Sequence, residues 1–278
     1  MEIILNLTCA SLLCYTGMIF WFISGNILFN SKLKSNKNPS ISVIIAIRNG
    51  EKSLPNLLYN LSNQTYSGNL EFILVNDNSN DSTASLIKNK ILEDDRFILE
   101  SSSNGNSALS HKKRALDAGI NKAQNEWLLF TDVDCKHKQD WVYGMASYFH
   151  DSIDYVIGYS EVIKNDKWVT KFQALDFFML MVAARGTTNL GKAWASSGQN
   201  QAYRKSLYKS VGGFSKLANE LQGDDSLFLQ ICRGHKSIKV VFADAKIVQT
   251  IARQELKWID LLKQRIRWAG DAKIMWKF

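Results

Sequence analysis

The chain has 278 residues, 46% of them hydrophobic, enough for one large domain or two small ones with a sizeable core. Its net charge is +8 and its pI near 9.2. The basic residues do not interleave with aromatics as in a nucleic-acid-binding motif, so the charge fits anionic headgroups, a phosphate-bearing substrate or a dispersed solvated surface. Four cysteines without regular spacing argue against a disulfide framework and a zinc site.

Ile3 to Phe29 carries no charged residue and exceeds the roughly 20 residues that a bilayer span needs. A cleaved signal peptide would want a basic leader, and here only Met1 and Glu2 precede the run. Residues 1–30 therefore read as a membrane anchor. Lys32, Lys34 and Lys37 follow it, which places the rest of the chain in the cytoplasm by the positive-inside rule. Residues 31–40 are polar and Lys/Asn-rich, a linker.

From Ile41 to Ile47 the β-branched run predicts a buried strand. Ser53 and Pro55 open a helix with Leu54, Leu57, Leu58 and Leu61 on one face. Leu70–Val75 is the second strand; Asp81-Ser82-Thr83 starts a helix through Ile91; Arg96–Leu99 is a short strand. Lys112–Ala123 is helical, and Trp127–Thr131 is the next strand. This β-α-β-α-β order predicts an α/β fold with a mostly parallel sheet. Beyond it, Tyr155–Tyr159 and Ile238–Phe242 read as strands and Asp225–Cys232 as a helix. Lys171–Ala184 reads as a helix burying Phe172, Leu175, Phe178, Met179 and Val182. Residues 251–278, Trp-rich and basic, read as an amphipathic helix on a membrane surface or on the core.

Five stretches carry chemistry. Asp132 and Asp134 flank Val133 at the end of a strand, where α/β folds bind ligands. On extended backbone they share one side, and two such carboxylates suit Mg²⁺ or Mn²⁺ shared with a phosphate. A solvated turn is the plain alternative. Asp77 follows a strand and suits a base imide or a ribose hydroxyl, while Asp81 suits a helix cap. Asp224-Asp225 precedes an apolar helix, where acids also serve as dipole partners. Gln264, Arg267 and Trp268 share a helix face able to hold phosphate oxygens and a ring, or to anchor an interface. Ser196 to Lys205, with Gly198, is a loop that permits close approach to a ligand.

In this order the five resemble the family 2 glycosyltransferases, from about Ile41 to Trp268. The resemblance implies a GT-A (Rossmann-like) mixed, mostly parallel sheet flanked by helices over 41–250. It also implies inverting transfer of a sugar from a nucleotide diphosphate, with Asp77 at the uracil end of the donor. Asp132 and Asp134 would hold the diphosphate through Mg²⁺ or Mn²⁺, and Asp225, beside Asp224, would be the general base. Gln264, Arg267 and Trp268 would cover the diphosphate and the acceptor end. Two departures touch base recognition: Asn76 stands where the family often has Asp, and Gly50 where many relatives have Glu.

The expectation is a membrane-anchored inverting transferase moving sugar from a UDP-sugar to a lipid, lipid-linked or polysaccharide acceptor, without nucleic acid as a partner. With one candidate span and no multi-helix pore, a single transfer to a lipid is favoured over processive synthesis. A non-catalytic nucleotide-sugar binder, motivated by Asn76 and Gly50, is the rival reading. A nucleotidyltransferase would need a Gly-rich basic loop, which Ala46 to Glu51 lacks.

Overall fold

The computed structural model describes residues 1–27, 38–235 and 237–275. Of the expected linker, 31–37 lies outside the described residues, as do 28–30 of the anchor and 276–278 of the last helix.

Strand β1 (Ile41–Ile47) lies in the interior of the main sheet. It runs parallel to β2 (Leu70–Asn76) on one side and to β4 (Trp127–Phe130) on the other. Because helices cover both faces of this sheet, its strands are apolar throughout rather than alternating. β3 (Phe97–Ser101) adds to β2. β8 (Gln201–Arg204) is antiparallel to both of its neighbours, β4 and β6 (Tyr155–Gly158), and β9 (Val240–Ala243) closes the edge parallel to β6. The seven strands thus lie in the order β3-β2-β1-β4-β8-β6-β9, the mixed, mostly parallel sheet that the strand-helix alternation predicts. Strand order reverses at β1, so a crevice opens where β1 and β4 end. A small second sheet, β5-β10-β7, joins Lys136–His137, Thr250–Ala252 and Ser160–Val162. Its strand β10 straddles the expected boundary at 250/251.

Helix α2 (Leu54–Ser62) buries Leu54, Leu57, Leu58 and Leu61 against one face of the sheet, each leucine worth about 2 kcal/mol of transfer free energy. α3 (Thr83–Glu93) and α5 (Trp141–Ala146) share that face through Ile87 and Trp141. α4 (His111–Lys122) lies on the other. A Cβ at its Gly119 would stand 2.6 Å from Ile44 Cγ2, so only glycine lets the helix sit directly on β1. α6 (Trp168–Asn189), the short α7 (Lys205–Ser210) and α8 (Ser226–His235) complete this layer.

The buried stripe of α6 differs from the expected one. Gln173, Phe177, Met181, Ala184 and Thr188 face inward, while Phe172, Leu175, Phe178 and Met179 are about half exposed or more and Val182 is half-buried. The helix carries apolar residues on two sides, and periodicity alone cannot choose between them. The inner side was selected by residues that also contact α9 (Trp258–Ile274), through Gln173–Gln264 and Phe177–Trp268.

α1 (Glu2–Ile27) is long and apolar enough to cross a membrane, and its first twenty residues are exposed. Its last turns cross α6 at a glycine pair: a Cβ on Gly25 would lie 2.2 Å from Gly186 O. Asn26 Nδ2 donates to Val182 O at 3.0 Å, and Asn189 Nδ2 donates to Gly25 O at 3.0 Å. Trp21 and Phe22 pack on Trp194 at ring separations of 5.1 and 6.0 Å. This apolar helix therefore leaves the rest of the fold at a fixed place, beside α6.

Candidate active site

A cavity of about 880 Å³ opens at the carboxyl ends of the central strands. Asp132, Asp134, Asp224, Asp225, Gln264, Arg267 and Trp268, from three separate stretches of the sequence, all line it. Asp77 does not: it continues β2, its amide donating to Ile47 O at 2.8 Å, and lies outside the lining. Asp81 stands one residue before Ser82, the N-cap of α3, and accepts from Thr83 N at 3.0 Å and Thr83 Oγ1 at 2.5 Å; the Thr83 hydroxyl above all holds its carboxyl below the usual range. Gly50 packs against the D-x-D turn, with its Cβ position 3.1 Å from Val133 Cγ2. Beside it, Glu51 Oε2 accepts from Ser82 N at 3.1 Å.

Lys112, which sequence reasoning treated only as a helix start, is the centre of the site. Its Nζ lies 2.8 Å from Asp132 Oδ1 and 3.1 Å from Asp224 Oδ2, joining the two acid pairs. Burial works against its charge, but Asp132 and Asp224 outweigh it and raise its pKa. The signal was available. His111-Lys112-Lys113-Arg114 puts cationic side chains in the first turn of a helix, where the dipole disfavours them. Each basic side chain of that turn after His111 has an acceptor: Lys113 Nζ donates to Glu220 O (2.5 Å) and Gln222 O (3.2 Å), and Arg114 Nη2 to Ser103 O (3.0 Å).

The Asp224-Asp225 pair is held from the Gly198 loop. Asp225 accepts from Gly198 N at 3.2 Å and Ser226 N at 2.5 Å. Gln201 Nε2 donates to Asp224 O at 3.1 Å. A Cβ at Gly198 would stand 3.1 Å from Asp224 Oδ2 and 3.2 Å from Lys112 Nζ, so the loop's glycine permits the approach of acid and base. Burial, then the charge of Asp224, pushes the Asp225 carboxyl up to about 7. With the Asp224 carboxylate engaged by Lys112, Asp225 is the carboxyl of the pair poised to exchange a proton near neutrality.

Asp134 also lines the cavity, where its side chain is exposed yet enclosed by the surrounding residues. That enclosure, then the charge of Asp132, raises its pKa. Among the described residues no cation pairs with it within 4 Å, nor do three or more His, Cys, Asp or Glu side chains converge as a complete metal site. Two hard-oxygen side chains at most would hold a divalent cation here, leaving its other positions to phosphate oxygens and water, the habit of Mg²⁺.

The D-x-D turn rests on a histidine that belongs to none of the five stretches. His137 is buried between Thr131 Oγ1 (2.9 Å to Nε2) and Thr250 Oγ1 (3.2 Å to Nδ1), and stacks on Trp141 at 4.0 Å. Burial depresses its pKa to about 3, so the ring is neutral. On the far side, Arg265 pins the Gln264-x-x-Arg267-Trp268 face: its guanidinium pairs with Asp176 at 2.5 Å and lies 4.2 Å from the Trp268 ring centroid.

Comparison with known proteins bears on the family and the fold. The model of Glycosyl transferase family 2 matches residues 42–212, more than half of the chain. A poly-beta-1,6-N-acetyl-D-glucosamine synthase of Staphylococcus aureus is 26% identical over 268 residues, covering 90% of this chain and 61% of that protein. The chain thus spans less than two thirds of the length of that curated relative. Among solved structures, a mannosyltransferase of Pyrobaculum calidifontis, in complex with GDP-Man and Mn²⁺, superposes with a TM-score of 0.68. It is 18% identical, with 95% of this chain and 71% of that one covered. S. aureus TarS 1–349 with UDP-GlcNAc gives 0.53 at 17% identity, with 78% and 59% covered. The chain carries the GT-A fold and belongs to glycosyl transferase family 2.

Proposed function

We propose that the protein is an inverting glycosyltransferase anchored in a membrane with its catalytic unit on the cytoplasmic side. It would move a sugar from a UDP-sugar to a lipid, lipid-linked or glycan acceptor with Mg²⁺ or Mn²⁺. The observation that carries this reading is the joining of two carboxylate pairs, Asp132/Asp134 and Asp224/Asp225, by one lysine within a single cavity.

The donor would lie across the strand ends, its nucleoside toward Asp77 after β2 and its diphosphate toward the D-x-D turn after β4. Asp134, with Asp132, would hold the divalent cation, whose charge stabilises the leaving diphosphate. Lys112 and Arg267 add positive charge where negative charge develops as the bond to the anomeric carbon breaks. Asp225 takes the proton of the attacking acceptor hydroxyl. One displacement inverts the centre, so no enzyme nucleophile is needed. Gln264 and Trp268 border the acceptor side, and Asp224 keeps Lys112 in place.

UDP release from a panel of UDP-sugars, with Mn²⁺ and membrane lipid, tests the reading. Turnover that disappears in Asp225→Asn while UDP still binds is the expected result. Tight UDP binding without turnover in the wild-type chain would instead establish the non-catalytic binder. The synthase relative at 26% identity favours a second reading, repeated transfer to a growing glycan; product length separates the two.

A further inference from the structure

The same cavity has a second half that the chemistry above does not use. Along α6, Phe177, Leu180, Met181, Ala183 and Ala184 form a wall with no polar side chain. The next polar group, Thr187 Oγ1, is turned back onto its own helix, donating to Ala183 O at 2.9 Å. The wall begins at Trp268, beside Arg267, and ends at Trp194. Trp194 is itself packed against Trp21 and Phe22 of the apolar α1. Leu180 and Trp194 remain 44% and 41% exposed, so the wall is open at these two residues, while Phe177, Met181 and Ala184 are buried and form its base. An apolar path therefore runs without interruption from the carboxylates to the helix able to cross a membrane.

We propose that this wall holds the hydrocarbon tail of a lipid acceptor, which reaches the carboxylates sideways from the bilayer alongside α1. The inference rests on the transferase reading and narrows its acceptor to an amphiphile. A glycan would bring hydroxyls against a surface with no partners for them, and each unpaired polar group is costly. Nor does Trp194 offer a free platform for a sugar, since α1 aromatics already pack on it. A tail loses nothing polar there, and gains about fourfold in affinity for each methylene withdrawn from water. In the step itself the head hydroxyl of the acceptor attacks the anomeric carbon. The bond to the diphosphate breaks with its electron pair leaving on UDP, and the hydroxyl proton passes to Asp225.

The experiment uses the full chain in lipid nanodiscs, with methyl, octyl and dodecyl glycosides as acceptors and UDP release as the readout. Acceptor KM should fall at least tenfold from methyl to dodecyl. Leu180→Glu, which places a charge on the wall at a part-exposed position, should abolish that gain through KM while leaving kcat for the methyl glycoside within about twofold. UDP affinity of the variant reports that it is folded. A tail-length gain that survives Leu180→Glu reflects partitioning into the bilayer and overturns the inference, as does a free oligosaccharide used as well as the dodecyl glycoside. Absence of UDP release with every acceptor, together with absence of UDP binding, defeats the transferase reading instead.

Discussion

Replacing Asp225 by Asn changes one oxygen for a nitrogen and separates the roles of charge and shape at the site. The Asp225 carboxyl rises from 3.8 to about 7, at ~1.4 kcal/mol per pH unit a ceiling of about 4 kcal/mol on the cost of keeping it ionised in the fold. The cavity admits water on one side, so half of that, ~2 kcal/mol, is the working figure. The sign follows from proton binding. Between about pH 4 and pH 7 the folded chain binds more protons here than the unfolded chain, so stability falls as pH rises through that window. Asn carries no charge at any pH. The variant should therefore match the wild type near pH 4.5 and exceed it at pH 8, by ~2 kcal/mol or ~4–8 °C in Tm for a domain of this size. Transfer should meanwhile drop by ~10²–10⁴, the usual worth of a general base, with UDP affinity held within about twofold. Calorimetry at the two pH values in EDTA, and UDP release at saturating Mn²⁺, measure both. A variant that is less stable at pH 8, or whose advantage is the same at both pH values, refutes the electrostatic account. Loss of UDP binding refutes the assignment of the base.

Asp134→Ala should weaken UDP binding at least tenfold in Mn²⁺ and leave the weak binding in EDTA unchanged; a metal titration identical to wild type would remove Asp134 from the metal site. Lys112→Met leaves Asp132 and Asp224 facing one another without their cation, a loss of about 1–2 kcal/mol in urea unfolding after allowance for solvent screening; at low ionic strength it should also raise donor KM, and a variant indistinguishable from wild type in both would contradict the bridging role. His137 has its pKa depressed to about 3 by burial, so the unfolded chain binds the extra proton below about pH 6.5 and stability falls on acidification; His137→Phe should flatten that slope between pH 7 and pH 5, and a slope that persists would place the acid sensitivity elsewhere.

The strands and helices of the first half were legible because their patterns answer to burial directly. β1 is apolar throughout because helices cover both of its faces, and α2 shows four leucines at helical spacing because one face alone is buried. The seven cavity residues were legible for a different reason. Acids at strand ends, and an amide, guanidinium and indole on one helix face, are types and spacings that stand out before any contact is known. Lys112 and His137 were not, because their meaning lies wholly in what the fold brings to them. Lysine in a basic turn looks like solvated surface until Asp132 arrives from β4 and Asp224 from α8's leading loop. Histidine looks incidental until Thr131 and Thr250, far apart in sequence, hydrogen-bond to its two ring nitrogens.

The misread face of α6 is the instructive failure, since it concerns function as well as packing. A helix with one apolar stripe must turn that stripe inward, but α6 carries two. The fold buried the one that includes Phe177 and Met181 and left Phe172, Leu175 and Met179 outside. α9 repeats the arrangement, with Leu261 buried and Ile259, Leu262 and Ile266 exposed. In water these exposed side chains would be a liability, for such patches mark binding or membrane surfaces. In the membrane-anchored reading proposed above, they would be the side that faces the bilayer, beside a helix fixed at the Gly25–Gly186 crossing and apolar enough to enter it. The two apolar sides of α6 then have two separate duties. One closes the core and borders the cavity, and the other, on that reading, would rest toward lipid, so that a single helix would link the carboxylates to the surface from which an amphiphilic acceptor would come.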